Sequence, residues 1–125
     1  MGKRVLVVED SQVIQKLIKQ VFSFMGIEVV HARDGQLGLE KSLEQPYNLI
    51  LLDMVMPVVD GQEFISRLRG EEGNPNQSTP ILIITGNEGN LKKESFEGQG
   101  ILGIMEKPID FDKLSRWIEE FFKES

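Results

Sequence analysis

Several short apolar stretches of this chain end on residues able to do chemistry. "RVLVV" is followed by Glu9 and Asp10, "NLILL" by Asp53, "PILII" by Thr85, and "ILGIM" runs on into Lys107 and Pro108. Brought together, these would be three carboxylates, a hydroxyl and an ammonium. Adjacent carboxylates repel one another, so a cation must offset them. The chain has no cysteine and one histidine, His31, so the donors are oxygens and the ion is a hard one. Magnesium fits best, because it takes one or two carboxylates and keeps several waters. A magnesium ion beside a free carboxylate, a hydroxyl and a lysine suits phosphoryl chemistry. A carboxylate can attack phosphorus and form an acyl phosphate. Lysine is a compact phosphate-binding charge, and the Thr85 hydroxyl can donate to a phosphoryl oxygen. Asp53 is therefore expected to be a nucleophile rather than a base.

Each residue also has an ordinary reading. An aspartate after a strand commonly serves as a turn or cap residue. Glu9 and Asp10 could favour the dipole of a following helix. Thr85 could be a plain strand-end hydroxyl and Lys107 a surface lysine. Joint placement at four strand tips is what points to function. His31 has no partner in the sequence and reads as structural or surface, and the Trp117–Phe121 stripe reads as core.

That chemistry requires elements that bring the tips to one edge. Apolar β-branched runs at 4–8, 27–32, 48–52, 80–85 and 101–105 read as strands. Between them, Ile14, Leu17, Ile18, Val21, Phe22 and Met25 recur at helical spacing before Gly26. Leu39 and Leu43 mark a second helix ending near Pro46, and Phe64, Ile65 and Leu68 a third. "GEEGNPNQST" reads as a loop. Residues 87–100 should form a fourth helix, but Gly89, Asn90 and Gly98 make it a poor one. Leu114, Trp117, Ile118, Phe121 and Phe122 give the last helix a clear stripe. Five β-α units with doubly apolar strands imply a parallel sheet covered on both faces. In such sheets the site lies outside the carboxyl ends of the strands.

Composition bounds the rest. The 125 residues fit one domain over 1–125, and 40% hydrophobic content supports a core. A net charge of −6 argues against direct nucleic-acid binding or an anionic membrane surface. No apolar run approaches the roughly 20 residues that span a bilayer. The N-terminus lacks a signal-peptide pattern, so a cytoplasmic protein is expected. A dinucleotide-binding fold would need G-x-G-x-x-G after the first strand, where "VVEDSQVI" stands. The P-loop, the D-x-D-x-T phosphatase pattern and a Ser/Thr-rich flavin phosphate loop are likewise missing.

In combination, "VVED", "LLDMVMPVVDG", "ILIITG" and "MEKPID" closely resemble the receiver domain of two-component response regulators, the chemotaxis regulators among them, over essentially the whole chain. The resemblance implies a flavodoxin-like (βα)5 fold with strand order 2-1-3-4-5. It implies that Asp53 is the phospho-acceptor, that Glu9 and Asp10 are the acidic pair, and that Lys107 contacts the phosphoryl group. Magnesium would be held by Asp10, Asp53 and the Val55 backbone carbonyl, with Glu9 acting through water. Thr85 would move toward the phosphoryl group, and the Lys107–Pro108 bond would be cis. The donor would be a histidine kinase or phosphotransfer protein, and the output partner is unspecified. The domain would be a signalling switch with its own phosphorylation and dephosphorylation activity, not a metabolic enzyme. The alternatives are a pseudo-receiver acting as an interaction module without phosphate, and a magnesium phosphatase, against which the missing cap and second catalytic acid argue. Ile104 stands where the family usually has Tyr or Phe, Val59 where Met is common, and Gly86 where Ala is common. Ile104 cannot repeat an aromatic rotation, so the expected switch is a change of order over 86–100. The chain carries no output segment, so a stand-alone regulator and a piece of a longer protein are both expected readings.

Overall fold

A computed structural model describes residues 2–86 and 96–124. The elements run β1 (Lys3–Val8), α1 (Gln12–Phe24), β2 (Ile27–Ala32), α2 (Gly35–Ser42), β3 (Leu49–Asp53), α3 (Gly61–Gly70), β4 (Ile81–Thr85), β5 (Ile101–Glu106) and α4 (Phe111–Glu124). All strand pairs are parallel, in the order β2-β1-β3-β4-β5. The order places β1, β3 and β4 inside the sheet, and these are the strands whose ends carry Glu9, Asp53 and Thr85.

The strands are apolar on both sides because both faces are covered. Along β1, Val5 and Val7 join one cluster while Leu6 and Val8 join the other. Leu49 and Leu51 alternate with Ile50 and Leu52 in β3 in the same way. One face packs on Ile18 and Phe22 of α1 and Leu114 and Ile118 of α4; the other packs on Leu39 of α2 and Phe64, Ile65 and Leu68 of α3. At roughly 1.5–3 kcal/mol for each fully buried large aliphatic or aromatic side chain, these layers dominate the favourable side of folding. Trp117 and Phe121 stack at 5.7 Å and pack with their neighbours on the α1/α4 face, in keeping with a core stripe.

Helix starts follow local chemistry. Ser11, Asp34 and Asp60 cap α1, α2 and α3, each accepting the N–H of the residue three further on. Gly26 takes a φ of 77° after α1 and turns the chain into β2. Leu43, expected inside the second helix, is instead its exposed C-cap residue.

The loop between α3 and β4 is far more ordered than its Gly, Asn and Pro content suggests. Asn76 is fully buried. Its side-chain amide donates to the carbonyls of Ser42 and Gln45, and its Oδ1 accepts from Tyr47 N–H and the Thr79 hydroxyl. Arg69 donates to the carbonyls of Gln77, Thr79 and Gln99 at 2.8–2.9 Å. Most of the expected fourth helix, 87–95, lies outside the described residues. Its final part is not helical in the α sense: Gly98 and Gly100 adopt φ of 80° and 74°, and Phe96 is buried in the core. The expected change of order over 86–100 also falls largely outside the described residues.

Candidate functional site

The carboxyl ends of β1 and β3 bring the acids together by register. Val8 pairs with Leu52, so Glu9 and Asp53 leave the sheet side by side. They continue the phase of Val7 and Leu51, which faces α1 and α4. Ligand atoms of Glu9, Asp10 and Asp53 lie within 4.8 Å of one another. Glu9 and Asp53 are only 2% and 3% exposed, whereas Asp10 is open to solvent. Lys107 reaches in from beyond β5: its Nζ lies 3.2 Å from Asp53 Oδ2 and 3.2 Å from Glu9 Oε1. The Lys107–Pro108 peptide is cis, as the resemblance implied.

Thr85 sits buried at the tip of β4, where its carbonyl accepts the Lys107 N–H at 2.6 Å. Its pairing with Glu106 follows that of Ile84 with Met105, and Asp53 pairs with Ile84. It thus lies one residue beyond the level of Asp53 on the adjacent strand. Ile104, half-buried on β5, packs into the cluster on the α2/α3 face of the sheet.

The loop after Asp53 is pinned at both ends. Met54 N–H bonds the Ile84 carbonyl, and Gly61 N–H bonds the Met54 carbonyl. A side chain at Gly61 would meet Met54 Cα at 2.6 Å, so only glycine lets α3 start this close to β3. Met54, Met56 and Val59 are buried, while Val55 and Val58 point outward. Val58 takes a φ of 70°, a left-handed conformation uncommon for a β-branched residue, and Val59 N–H closes the turn on the Pro57 carbonyl at 2.8 Å. Val55 N–H donates to Asp53 Oδ1 at 3.1 Å. Asp53 is thus unlike Asp34 and Asp60: it caps no helix, and its oxygens face a backbone N–H and an ammonium.

The electrostatics are those of an anionic site held together by one cation. Burial pushes the Asp53 carboxyl above its ordinary value, while the Val55 N–H and Lys107 hold it down in part. Burial also raises Glu9, with Asp53 adding to the effect against the Ser11 N–H and Lys107. Burial would lower Lys107, but the charges of Glu9 and Asp53 outweigh it and the net shift is upward. Glu9 Oε1 lies near Lys107 without hydrogen-bond geometry. Among the described residues it is the buried side-chain oxygen left with no hydrogen-bond donor. All-oxygen donors, excess negative charge and an orphaned buried carboxylate oxygen fit a hard divalent cation. The Glu9–Asp10–Asp53 group is the one cluster of this kind among the described residues, and His31 has no part in it. His31 is instead half-buried on β2, lowered by burial and by Lys19 and Lys41.

This geometry is that of a known class. The family model for the response regulator receiver domain matches residues 5–119, and the chain belongs to that family. The response regulator ArlR of Staphylococcus saprophyticus is 34% identical over 111 residues, covering 89% of this chain and 48% of the relative. ArlR of Staphylococcus aureus is 32% identical over the same share. The chain thus spans about half the length of the curated relatives it matches. Chemotaxis protein CheY4 of Vibrio cholerae has a similar structure, with a TM-score of 0.84 at 29% identity over 97% of this chain and 99% of that one. The receiver domain of a Pseudomonas aeruginosa sensor histidine kinase, with magnesium coordinated in its active-site cleft, gives 0.81 at 28% identity over 98% and 99%. No helix among the described residues is long and apolar enough to cross a membrane.

Sequence reasoning overlooked two features of the site. Gln15 is a buried polar residue that donates its side-chain amide to the Glu9 carbonyl. Its signal was available: position 15 shares the helical phase of Ile18 and Phe22, where an apolar residue is expected. The turn at Val58 carried no such signal, because a valine in that conformation runs against propensity.

Proposed function

We propose that this domain accepts a phosphoryl group on Asp53 from a histidine kinase or phosphotransfer protein, in a magnesium-dependent reaction, and changes its binding surface in response. The observation that carries the reading is Asp53 itself: a buried, uncapping carboxylate at a strand tip, within ion-pair reach of Lys107 and beside two further acids. An Asp53 oxygen attacks phosphorus, the new O–P bond forms as the bond from phosphorus to the donor nitrogen breaks, and the electron pair leaves with the donor imidazole. Lys107 and the Val55 N–H offset part of the cost that burial puts on the ionised carboxylate and aim it before attack, and Lys107 meets the charge on the incoming phosphoryl oxygens. Thr85, one residue beyond the level of Asp53 on the adjacent strand, would donate to the phosphoryl group once it is on Asp53. Asp10, Asp53 and the Val55 carbonyl would hold magnesium, with Glu9 acting through water. When bound, the ion supplies positive charge against the phosphoryl oxygens. Water attack on phosphorus later frees inorganic phosphate and restores the carboxylate. On α1, Val13, Leu17 and Phe24 are exposed at spacings that share one side of the helix, a surface suited to a helical donor protein.

Two measurements address the site. Magnesium should raise the Tm of the protein by relieving carboxylate repulsion through binding linkage. In Asp10→Ala that rise should fall to a small fraction, and equal stabilisation of both proteins would place the ion elsewhere. The second concerns the lifetime of the acyl phosphate. Val55 is exposed and has no side-chain group to orient a water. Val55→Asn should therefore alter the lifetime of the phosphorylated form with little change in magnesium affinity, as followed by loss of the phosphoryl group in intact-mass time courses. An unchanged lifetime would show that position 55 does not govern water. The resemblance further implies that the residues two after the acceptor and two after Thr85, Val55 and Asn87, tune access of water to the acyl phosphate; Asn87 lies outside the described residues.

A further inference from the structure

We infer that Gln15 is a positioning residue for the acidic pair, acting through the Glu9 carbonyl; the inference rests on the proposed magnesium site. Gln15 is 9% exposed and lies on the buried face of α1 with Ile18 and Phe22. Its Nε2 donates to the carbonyl of Glu9, six residues earlier in the chain. That carbonyl and the Asp10 N–H are the two ends of a single planar peptide unit. Fixing one end fixes the direction in which Asp10 leaves the turn.

The rest of Glu9 is anchored as well. Its N–H donates to the Ala32 carbonyl at 3.0 Å, and its Oε2 accepts the Ser11 N–H at 2.9 Å. Ser11 in turn caps α1, and its carbonyl accepts the Gln15 N–H at 3.0 Å. The turn from β1 to α1 is thus closed at one end by the sheet and at the other by the Gln15 amide. A leucine or methionine at position 15 would fill the same helix face and bury more apolar surface. What only the amide adds is the bond that sets the Glu9–Asp10 peptide. Groups that orient metal-binding side chains in this way commonly change metal affinity by about 10–100-fold when removed.

Gln15→Met keeps length, helix propensity and the apolar face while removing the donor. With folding checked by circular dichroism, calorimetric titration with magnesium chloride should show Kd weakened about tenfold relative to the unaltered protein. A purely structural Gln15 would instead lower the Tm of the metal-free protein and leave Kd where it was, and that result overturns the inference. Asp10→Ala, titrated alongside, separates this outcome from failure of the magnesium site. If the unaltered protein binds no magnesium, or Asp10→Ala binds as well as it does, the parent reading fails. If Gln15→Met does not fold, the unaltered protein still decides the matter by NMR. The Gln15 side-chain amide signals should move during the magnesium titration with the same midpoint as the Asp10 N–H, and signals that stay fixed refute the coupling.

Discussion

Asp53→Asn should take up no phosphoryl group from a small donor, yet melt at a higher temperature than the unaltered protein when both are free of metal. The two effects have one origin. Amide and carboxylate are nearly isosteric, so the packing around β3 survives. The nucleophilic oxygen pair is lost, which removes the reaction outright rather than slowing it. Stability moves the other way because burial raises the Asp53 carboxyl in the folded state. Between the unfolded and folded pKa values the native protein then holds more protons than the unfolded chain. Stability therefore falls as pH rises through that window, and the cost remains at neutral pH. The amide removes that cost, while Lys107 keeps Glu9 as its partner. The Tm difference should fade as the pH is lowered through the carboxylate range, where Asp53 becomes neutral in both states. Thermal melts at neutral and acid pH test the second effect. A lower Tm for Asp53→Asn at neutral pH would mean that the ion pair with Lys107 outweighs desolvation.

The largest loss of stability should come from the opposite end of the sheet. Asn76→Ala leaves the Ser42 and Gln45 carbonyls, the Tyr47 N–H and the Thr79 hydroxyl each without its side-chain partner in a buried site. An orphaned buried polar group costs about 1–3 kcal/mol. Because these groups share one network and relax together, the total should be about 3–5 kcal/mol, well above the common range for single substitutions. Urea unfolding should show a lower midpoint with an unchanged slope. Glu72→Ala, exposed in the same loop, should fall within about 0.5 kcal/mol of the unaltered protein. A loss below about 1 kcal/mol for Asn76→Ala would mean that the loop is not the fixed structure described. The loop lies before β4, at the amino ends of the strands. Surviving Asn76→Ala protein should therefore still bind magnesium.

The strands were legible because each is apolar on both faces, which only a sheet covered twice requires. Once the strands are parallel, acids at the ends of β1 and β3 come to one edge of the sheet, and so Glu9, Asp10 and Asp53 could be assembled from the sequence with Lys107. The order of the strands was not contained in periodicity and came from the resemblance. Three features escaped for separate physical reasons. Asn76 sits in a loop of turn-forming residues, and its partners Ser42, Gln45 and Tyr47 are 29 to 34 positions away in sequence, beyond any local pattern. Val58 adopts a backbone conformation that its side chain disfavours, in a turn closed by the Val59 N–H on the Pro57 carbonyl. Gln15 departs from the apolar phase of α1, and such a departure has meaning only once the Glu9 carbonyl is seen beside it. Thr85 is expected in the site from its strand-tip position alone, and it lies buried one residue beyond the level of Asp53 on the adjacent strand.

The central claim, that Asp53 is the atom-accepting centre of a phosphoryl switch, has one direct measurement. The unaltered protein is incubated with a small phosphodonor, with and without magnesium, and its intact mass is recorded before peptide mapping of the adduct. The expected result is a single phosphoryl group, formed only with magnesium and confined to the peptide that contains Asp53. An adduct on another residue, or equal labelling without magnesium, would contradict it.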